Sequence, residues 1–226
     1  VLALLEFCSF FKEPDARPDL FLTLLNGIIF CLSAFFYGLK GFVLAFIIVF
    51  FLTLMRKFIA GNLFSFKSAA LTVVASIYIG FSLSHLILIR GIAERGVQLV
   101  LAVILATWVF DTSAYFVGSL FGKTKLAPKI SPHKTLEGAM GGLLITSIAA
   151  GSFCFIPFLN FIERILLGAG IAIFGQMGDL FESKLKRIAG LKDSGSLLPG
   201  HGGILDRFDS LILSAPAAFY LIKMLL

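Results

Sequence analysis

Charge is scarce in this chain. Asp, Glu, Lys and Arg together make up 14% of 226 residues, where soluble domains carry roughly 25%. Hydrophobic residues reach 58% and the mean hydropathy is +1.00, which excludes a soluble globular domain and leaves no soluble basic surface for nucleic acid. Cysteine is scarce too. Cys8, Cys31 and Cys154 stand in separate apolar stretches without a C-x-x-C spacing, so no disulfide framework or cysteine zinc site is expected, and each reads as a small packing residue. The three histidines, His85, His133 and His201, have no metal-ligand spacing between them. His85, beside Ser82 and Ser84 in an apolar run, is expected to be hydrogen-bonded inside a helix bundle. The chain has no G-x-x-x-x-G-K-[ST] loop and no internal repeat.

What is abundant is apolar length. The opening run VLALLEFCSFF, interrupted by Glu6, is too short to span a bilayer at about 20 residues per crossing and lacks the basic start of a signal peptide. It reads as the tail of a span whose beginning precedes Val1. Further runs fall at Leu20–Tyr37, Gly41–Met55, Ala69–Ile89, Val97–Phe116, Gly138–Phe158, Ile165–Phe181 and Leu211–Leu226. The expected fold is therefore all-α: a polytopic transmembrane bundle of about eight spans within one integral-membrane domain, 1–226. Helices are required because lipid offers no partner for backbone N–H and C=O groups.

If the eight runs alternate across the membrane, one set of loops holds 14 of the 19 Lys and Arg residues. The other keeps only Lys40, Arg90, Arg95, Arg164 and Lys223. The positive-inside rule places the basic loops in the cytoplasm, and part of their charge serves topology and anionic headgroups.

The remaining polar residues are concentrated. Gly178–Ser210 carries four Asp, one Glu and five Lys or Arg, and ionisable groups at the end of a span mark a site by default. Asp179, Glu182, Ser183, Lys186 and Arg187 recur at i, i+3, i+4, i+7 and i+8, one helical face, with Phe181, Leu185 and Ile188 opposite. Glu182 and Lys186 are also spaced for an i,i+4 pair. The Leu198–Gly203 turn follows, and then Asp206 and Asp209, one turn apart at the start of the last span. With Asp179 they make an oxygen set of the kind Mg²⁺ accepts alongside substrate phosphates. Asp206 and Asp209 read equally as helix caps, and His201 as a phosphate or base contact or a turn residue. These three carboxylates are expected to meet.

A second basic loop holds Lys123, Lys125, Lys129 and Lys134, suited to a polyphosphate. Ser131-Pro132 reads as N-cap and first helical residue, which would project Lys134 and Thr135 from a helix N-terminus. Asp111, with Tyr115 and Gly118 on its face, is expensive in an apolar span. It serves either the shell of a metal site or a hydrogen bond between helices.

These residues resemble the phosphatidate cytidylyltransferase (CDP-diacylglycerol synthase) family. Its signature is met by Ser183, Lys186-Arg187, Lys192-Asp193, Gly195, Leu198-Pro199, His201-Gly202-Gly203, Asp206-Arg207 and Asp209. Upstream, Asp111, Tyr115, Gly118, Phe121–Lys123, Ser131–Thr135 and Glu137-Gly138 resemble a second region of the same family. The resemblance implies transfer of CMP from CTP to phosphatidic acid, with release of pyrophosphate, at the cytoplasmic face of a bacterial inner membrane. On that reaction the expected catalytic residues are Asp179, Lys186, Arg187, Asp206, Arg207 and Asp209, with the carboxylate set of Asp179, Asp206 and Asp209 on Mg²⁺, as two metal ions or one with a monovalent cation. Substrate contacts would come from Lys123, Ser131, Lys134, Thr135, Glu182, Ser183, Lys192, His201, Gly202 and Gly203. Membrane lipid is a further expected partner, a homo-oligomer is left open, and nucleic acid is not expected. A CTP-dependent lipid kinase and a cation transporter are the competing readings.

Overall fold

The computed structural model describes residues 1–13, 16–59, 66–195 and 202–226. Eight helices and one β-ribbon follow in the order α1 Leu2–Phe10, α2 Leu20–Ile59, α3 Phe66–Ala75, α4 Ser82–Arg90, α5 Gly96–Phe121, β1 Lys125–Ala127, β2 Ser131–Thr135, α6 Leu136–Gly151, α7 Phe161–Ile188 and α8 Leu205–Leu225. One π-helical turn, Ser76–Phe81, joins α3 to α4. Among the described residues, five helical segments are long and apolar enough to cross a membrane: Leu20–Arg56, Phe66–Arg90, Gly96–Phe121, Phe161–Ile188 and Leu205–Leu225. Large apolar side chains such as Phe35, Phe36, Trp108 and Leu120 stay exposed on them, as lipid-facing positions require.

The difference between five segments and the expected eight has local causes. Helix α1 has nine residues. Helix α2 has 40 residues with non-helical backbone at Gly38, φ 59° and ψ −148°, a conformation glycine adopts without steric cost. Straight, it would measure about 60 Å, twice the hydrocarbon thickness. Instead its arms return on each other: Asn26 donates its side-chain amide to Thr53 Oγ1 at 3.0 Å, and the Phe30 and Phe42 rings meet at 5.7 Å. Helix α6 stops at Gly151, short of the expected Phe158. Its last carbonyl, that of Gly151, accepts from Arg164 at 3.2 Å, which also donates to the Phe153 and Leu159 carbonyls of the connection beyond, at 3.2 and 2.9 Å. A cation there satisfies orphan C=O groups and opposes the negative end of the helix dipole.

The chain divides into two compact units. Val1–Gly91 with Ala189–Arg207 form the first, and Ile92–Ile188 with Phe208–Leu226 the second. The first is organised around buried polar contacts: Asn26 donates to both Thr53 and Ser76, and Thr53, Thr72 and Ser76 donate to carbonyls four residues back in their own helices. The Asn26 bonds join helical segments where burial of apolar surface supplies no driving force between them. His85 is fully buried and its Nδ1 lies 3.0 Å from the Phe81 carbonyl. A carbonyl only accepts, so Nδ1 carries the proton, and the expected bundle role holds. Cys8 is buried, as a packing residue should be, whereas Cys31 and Cys154 are exposed.

In the second unit α5, α6 and α7 pack through small residues. Gly138 and Gly142 of α6 lie against Ala114, Gly118 and Phe110 of α5, and Gly168 of α7 lies against Thr146, Ser147 and Ala150 of α6.

Candidate active site

Most of the polar stripe on α7 turns inward: Glu182 is fully buried and Asp179, Ser183 and Lys186 are half-buried, while Arg187 is exposed. Phe181 and Ile188 on the opposite side are exposed, whereas Leu185, expected with them, is buried. This is the reverse of a soluble amphipathic helix and suits a helix with lipid behind it. Lys186 pairs with Glu182 at 2.6 Å, the i,i+4 contact the spacing predicts. Ser183 Oγ lies 3.4 Å from Asp179 Oδ1 as its donor.

Asp179 has a partner from outside its own helix: Lys134 Nζ forms an ion pair with its Oδ2. The lysine arrives on β2, which corrects the expected local structure. Ser131-Pro132 does not open a helix. Residues 131–135 form a strand paired antiparallel with β1, with Lys125 opposite Thr135 and Ala127 opposite Ser131. The residue before proline is pushed out of the α region, and a two-stranded ribbon tolerates a proline that cannot donate. The N-cap is Thr135, extended at φ −122° and ψ 153°, whose Oγ1 accepts from the Gly138 N–H at 3.1 Å. Lys134 thus sits one residue ahead of the cap, half-buried beside Asp179.

Glu137, just ahead of the apolar part of α6, braces the ribbon by accepting the N–H groups of Lys123 and Thr124 at 3.0–3.1 Å. Its own amide, then the Thr124 hydroxyl and the Thr124 and Lys123 amides, hold its carboxyl down to about 2. Arg187 donates Nε to the Ile130 carbonyl at 3.2 Å, tying the ribbon's turn to α7.

Helix α8 comes to the same place because Gly178 carries no side chain. A Cβ there would lie 2.5 Å from the Asp209 carbonyl, so only glycine lets the two backbones approach this closely. Asp209 therefore stands beside the residue next to Asp179. Asp179, Glu182 and Asp111 act electrostatically on Asp209, and Asp179 and Lys134 on Asp111. Asp111 stays exposed while its Oδ1 accepts the Ser210 hydroxyl at 2.9 Å. Of its two expected roles, the hydrogen bond between helices is present. The Ser210 N–H also donates to Asp209 Oδ1 at 2.6 Å.

Asp206 belongs to the first unit, whereas Asp179 and Asp209 belong to the second. Its carboxylate accepts the Ser194 N–H at 3.0 and 3.2 Å and the Gly203 N–H at 2.9 Å; both donors precede α8, so the bonds tie the entering loop and do not cap the helix's own first N–H groups. Gly202 has φ 78°. Lys123, Lys192 and Arg207 are exposed and Ser131 is half-buried. His201, with Leu198 and Pro199, lies outside the described residues.

Among the described residues no three His, Cys, Asp or Glu side chains gather closely enough to hold a metal ion by themselves. The donor chemistry of the second unit nonetheless fits Mg²⁺, which takes one or two carboxylates and completes its shell with water and phosphate. Asp179 and Asp209 are hard oxygen donors, and the Lys134 ammonium already stands as a cation on Asp179.

Three residues were not singled out in the sequence as site residues: Glu6 and Ser194, which make contacts within the first unit, and Ser210, which makes them within the second. Glu6 had a signal, being the one carboxylate in the opening apolar run. Ser194 and Ser210 had none beyond their place in the charged segment.

Residues 1–225 match the model of a family described as the cytidylyltransferase family. The chain belongs to that family. It is 42% identical over 165 residues to a phosphatidate cytidylyltransferase of Bacillus subtilis, covering 72% of this chain and 61% of that protein. It is 42% identical over 168 residues to one of Staphylococcus aureus, covering 74% and 64%. A third, of Thermotoga maritima, is 40% identical over 167 residues, covering 71% and 61%. The chain thus spans about three fifths of the length of the family members it matches.

Proposed function

We propose that this chain is the catalytic region of a phosphatidate cytidylyltransferase in a bacterial cytoplasmic membrane, with its site facing the cytoplasm. It would use CTP and phosphatidic acid and release CDP-diacylglycerol and pyrophosphate. The observation that carries this reading is the Lys134–Asp179 contact, which brings a lysine-rich ribbon onto carboxylates at the polar end of an apolar helix. A nucleoside triphosphate and an anionic lipid headgroup are the reactants such a place suits.

A phosphatidate oxygen, already ionised at neutral pH, attacks the α-phosphorus of CTP. The new P–O bond forms as the bond to the β-phosphate oxygen breaks, and pyrophosphate leaves with the electron pair. No covalent enzyme intermediate is required, so catalysis consists of positioning and of charge placed in advance. Lys134 and Lys186, each held by a carboxylate in this structure, supply cations to the phosphates. Asp179 and Asp209 would hold Mg²⁺. Bound there, it would offset the charge that develops on departing pyrophosphate. Asp206 and Arg207 are assigned to the site from the sequence, by the carboxylate pattern and the signature.

The test is product analysis. Purified protein with CTP, phosphatidic acid and Mg²⁺ should yield pyrophosphate and CDP-diacylglycerol in equal amounts. Release of CDP with a phosphorylated lipid would instead assign γ-phosphoryl transfer, and uptake of a cation without CTP turnover would overturn the reading altogether.

A further inference from the structure

Helix α1 carries a buried carboxylate, Glu6, 6% exposed, whose partners lie 188 to 199 residues further on. Its Oε1 accepts the Ile204 N–H at 2.8 Å. Its Oε2 accepts the Leu205 N–H at 2.7 Å and the Ser194 hydroxyl at 3.2 Å. The surrounding backbone is shaped to the carboxylate: a Cβ on Gly203 would lie 2.6 Å from Oε2, and one on Gly195 3.1 Å from Oε1. All of these groups belong to the first unit.

An isolated buried carboxylate is costly, and Glu6 is compensated by donors at the positive end of α8, whose first N–H groups have no partner within the helix. The arrangement continues to Asp206. The Ser194 oxygen that donates to Glu6 also accepts the Asp206 N–H at 3.3 Å, and the Ser194 N–H returns to the Asp206 carboxylate at 3.0 Å. One serine therefore couples the two acids, while Gly203 donates its N–H to Asp206 Oδ2 at 2.9 Å.

We propose that Glu6 is a positioning residue that fixes Asp206 by clamping Ser194 and the first turn of α8. The proposal deepens the transferase reading and rests on it for the importance of Asp206. Glutamine is the informative replacement: it keeps the shape of Glu6 but exchanges one acceptor oxygen for an NH₂ that meets the same N–H and O–H donors.

The experiment uses the full chain in lipid nanodiscs, as wild type, Glu6→Gln, Glu6→Asp and Ser194→Ala, with thermal midpoints to count folded protein. In Glu6→Gln the amides of Ser194, Ile204 and Leu205 should exchange with deuterium at least about 10-fold faster. Per folded molecule, kcat should fall about 10- to 100-fold, the usual cost of losing a group that orients a site residue, with KM for phosphatidic acid within about twofold. Glu6→Asp should recover part of both, and Ser194→Ala should show the same split more weakly. Unchanged exchange in Glu6→Gln overturns the clamp, and so does turnover lost only in proportion to folded protein. If Glu6→Gln does not fold, Ser194→Ala decides: wild-type kcat with wild-type exchange overturns the proposal. A wild-type protein that releases no pyrophosphate refutes the transferase reading instead, and the exchange rates still judge the clamp.

Discussion

At Asp179 one carboxylate faces competing cations. Lys134 holds it in this structure, and a divalent ion arriving with substrate would have to take that place while Lys134 moves to a phosphate. Asp179→Asn removes the charge both need, so kcat/KM should fall at least about 100-fold, or about 2.7 kcal/mol of transition-state stabilisation. Asp209→Asn should behave alike. Lys134→Met should cost activity too, but with the apparent affinity for Mg²⁺ raised, because the internal competitor is gone; titrating Mg²⁺ in the pyrophosphate assay separates the cases. At Glu137 the carboxyl is held from its usual 4.5 down to about 2. A lowered acid value means the ionised brace contributes fully above about pH 4.5 and is lost as pH falls through about 2. The ¹³C carboxyl shift of Glu137 should therefore titrate near 2, and Glu137→Gln should loosen the Lys123 and Thr124 amides at neutral pH. The one-sided stripe was legible because it repeats at helical spacing along a single segment. Lys134 as the partner of Asp179, and the donors to Glu6, were not, since they come from outside those helices.

Elements differ in how much they disclose. Helices α7 and α8 announce their polar ends by composition, and their closeness depends on a missing atom at Gly178. Gly178→Ala would place a Cβ 2.5 Å from the Asp209 carbonyl, forcing the two backbones apart. A loss of about 1–3 kcal/mol is expected, as for other overpacked sites, with turnover per folded molecule reduced as well. Thermal midpoints and the pyrophosphate assay read the two effects. Gly175→Ala, one turn away, is the control: its Cβ would meet Ser210 at an ordinary 3.6 Å, and near-wild-type behaviour is expected. The β1–β2 ribbon was hidden because Ser-Pro reads as a helix start as readily as a strand, and only pairing with Lys125–Ala127 decides. The reversal within α2 was half visible: the break near Gly38 separates two apolar runs, while the antiparallel return depends on Asn26 meeting Thr53.

For the whole molecule, basic loops and apolar helices make sidedness a measurable property. With the native cysteines replaced by serine, a single cysteine at Lys129 should react with an impermeant maleimide only from the cytoplasmic side of sealed vesicles. One at Glu94, between α4 and α5, should react only from the opposite side. Labelling of both from one side would refute the orientation. The apolar character of the whole chain was legible at once, because composition alone carries it. The division into two units was not, since it depends on which distant segments pack together.

That division also bears on biogenesis. The first unit is interrupted: after Gly91 its remaining part, Ala189–Arg207, is synthesised only once α5, α6 and α7 have been made. Until then Glu6 is an acid in an apolar helix without the backbone groups that satisfy it. During translation α1 must therefore keep that carboxylate in contact with water or with another protein, and a ribosome stalled after α7 would leave it open to recognition by membrane quality control.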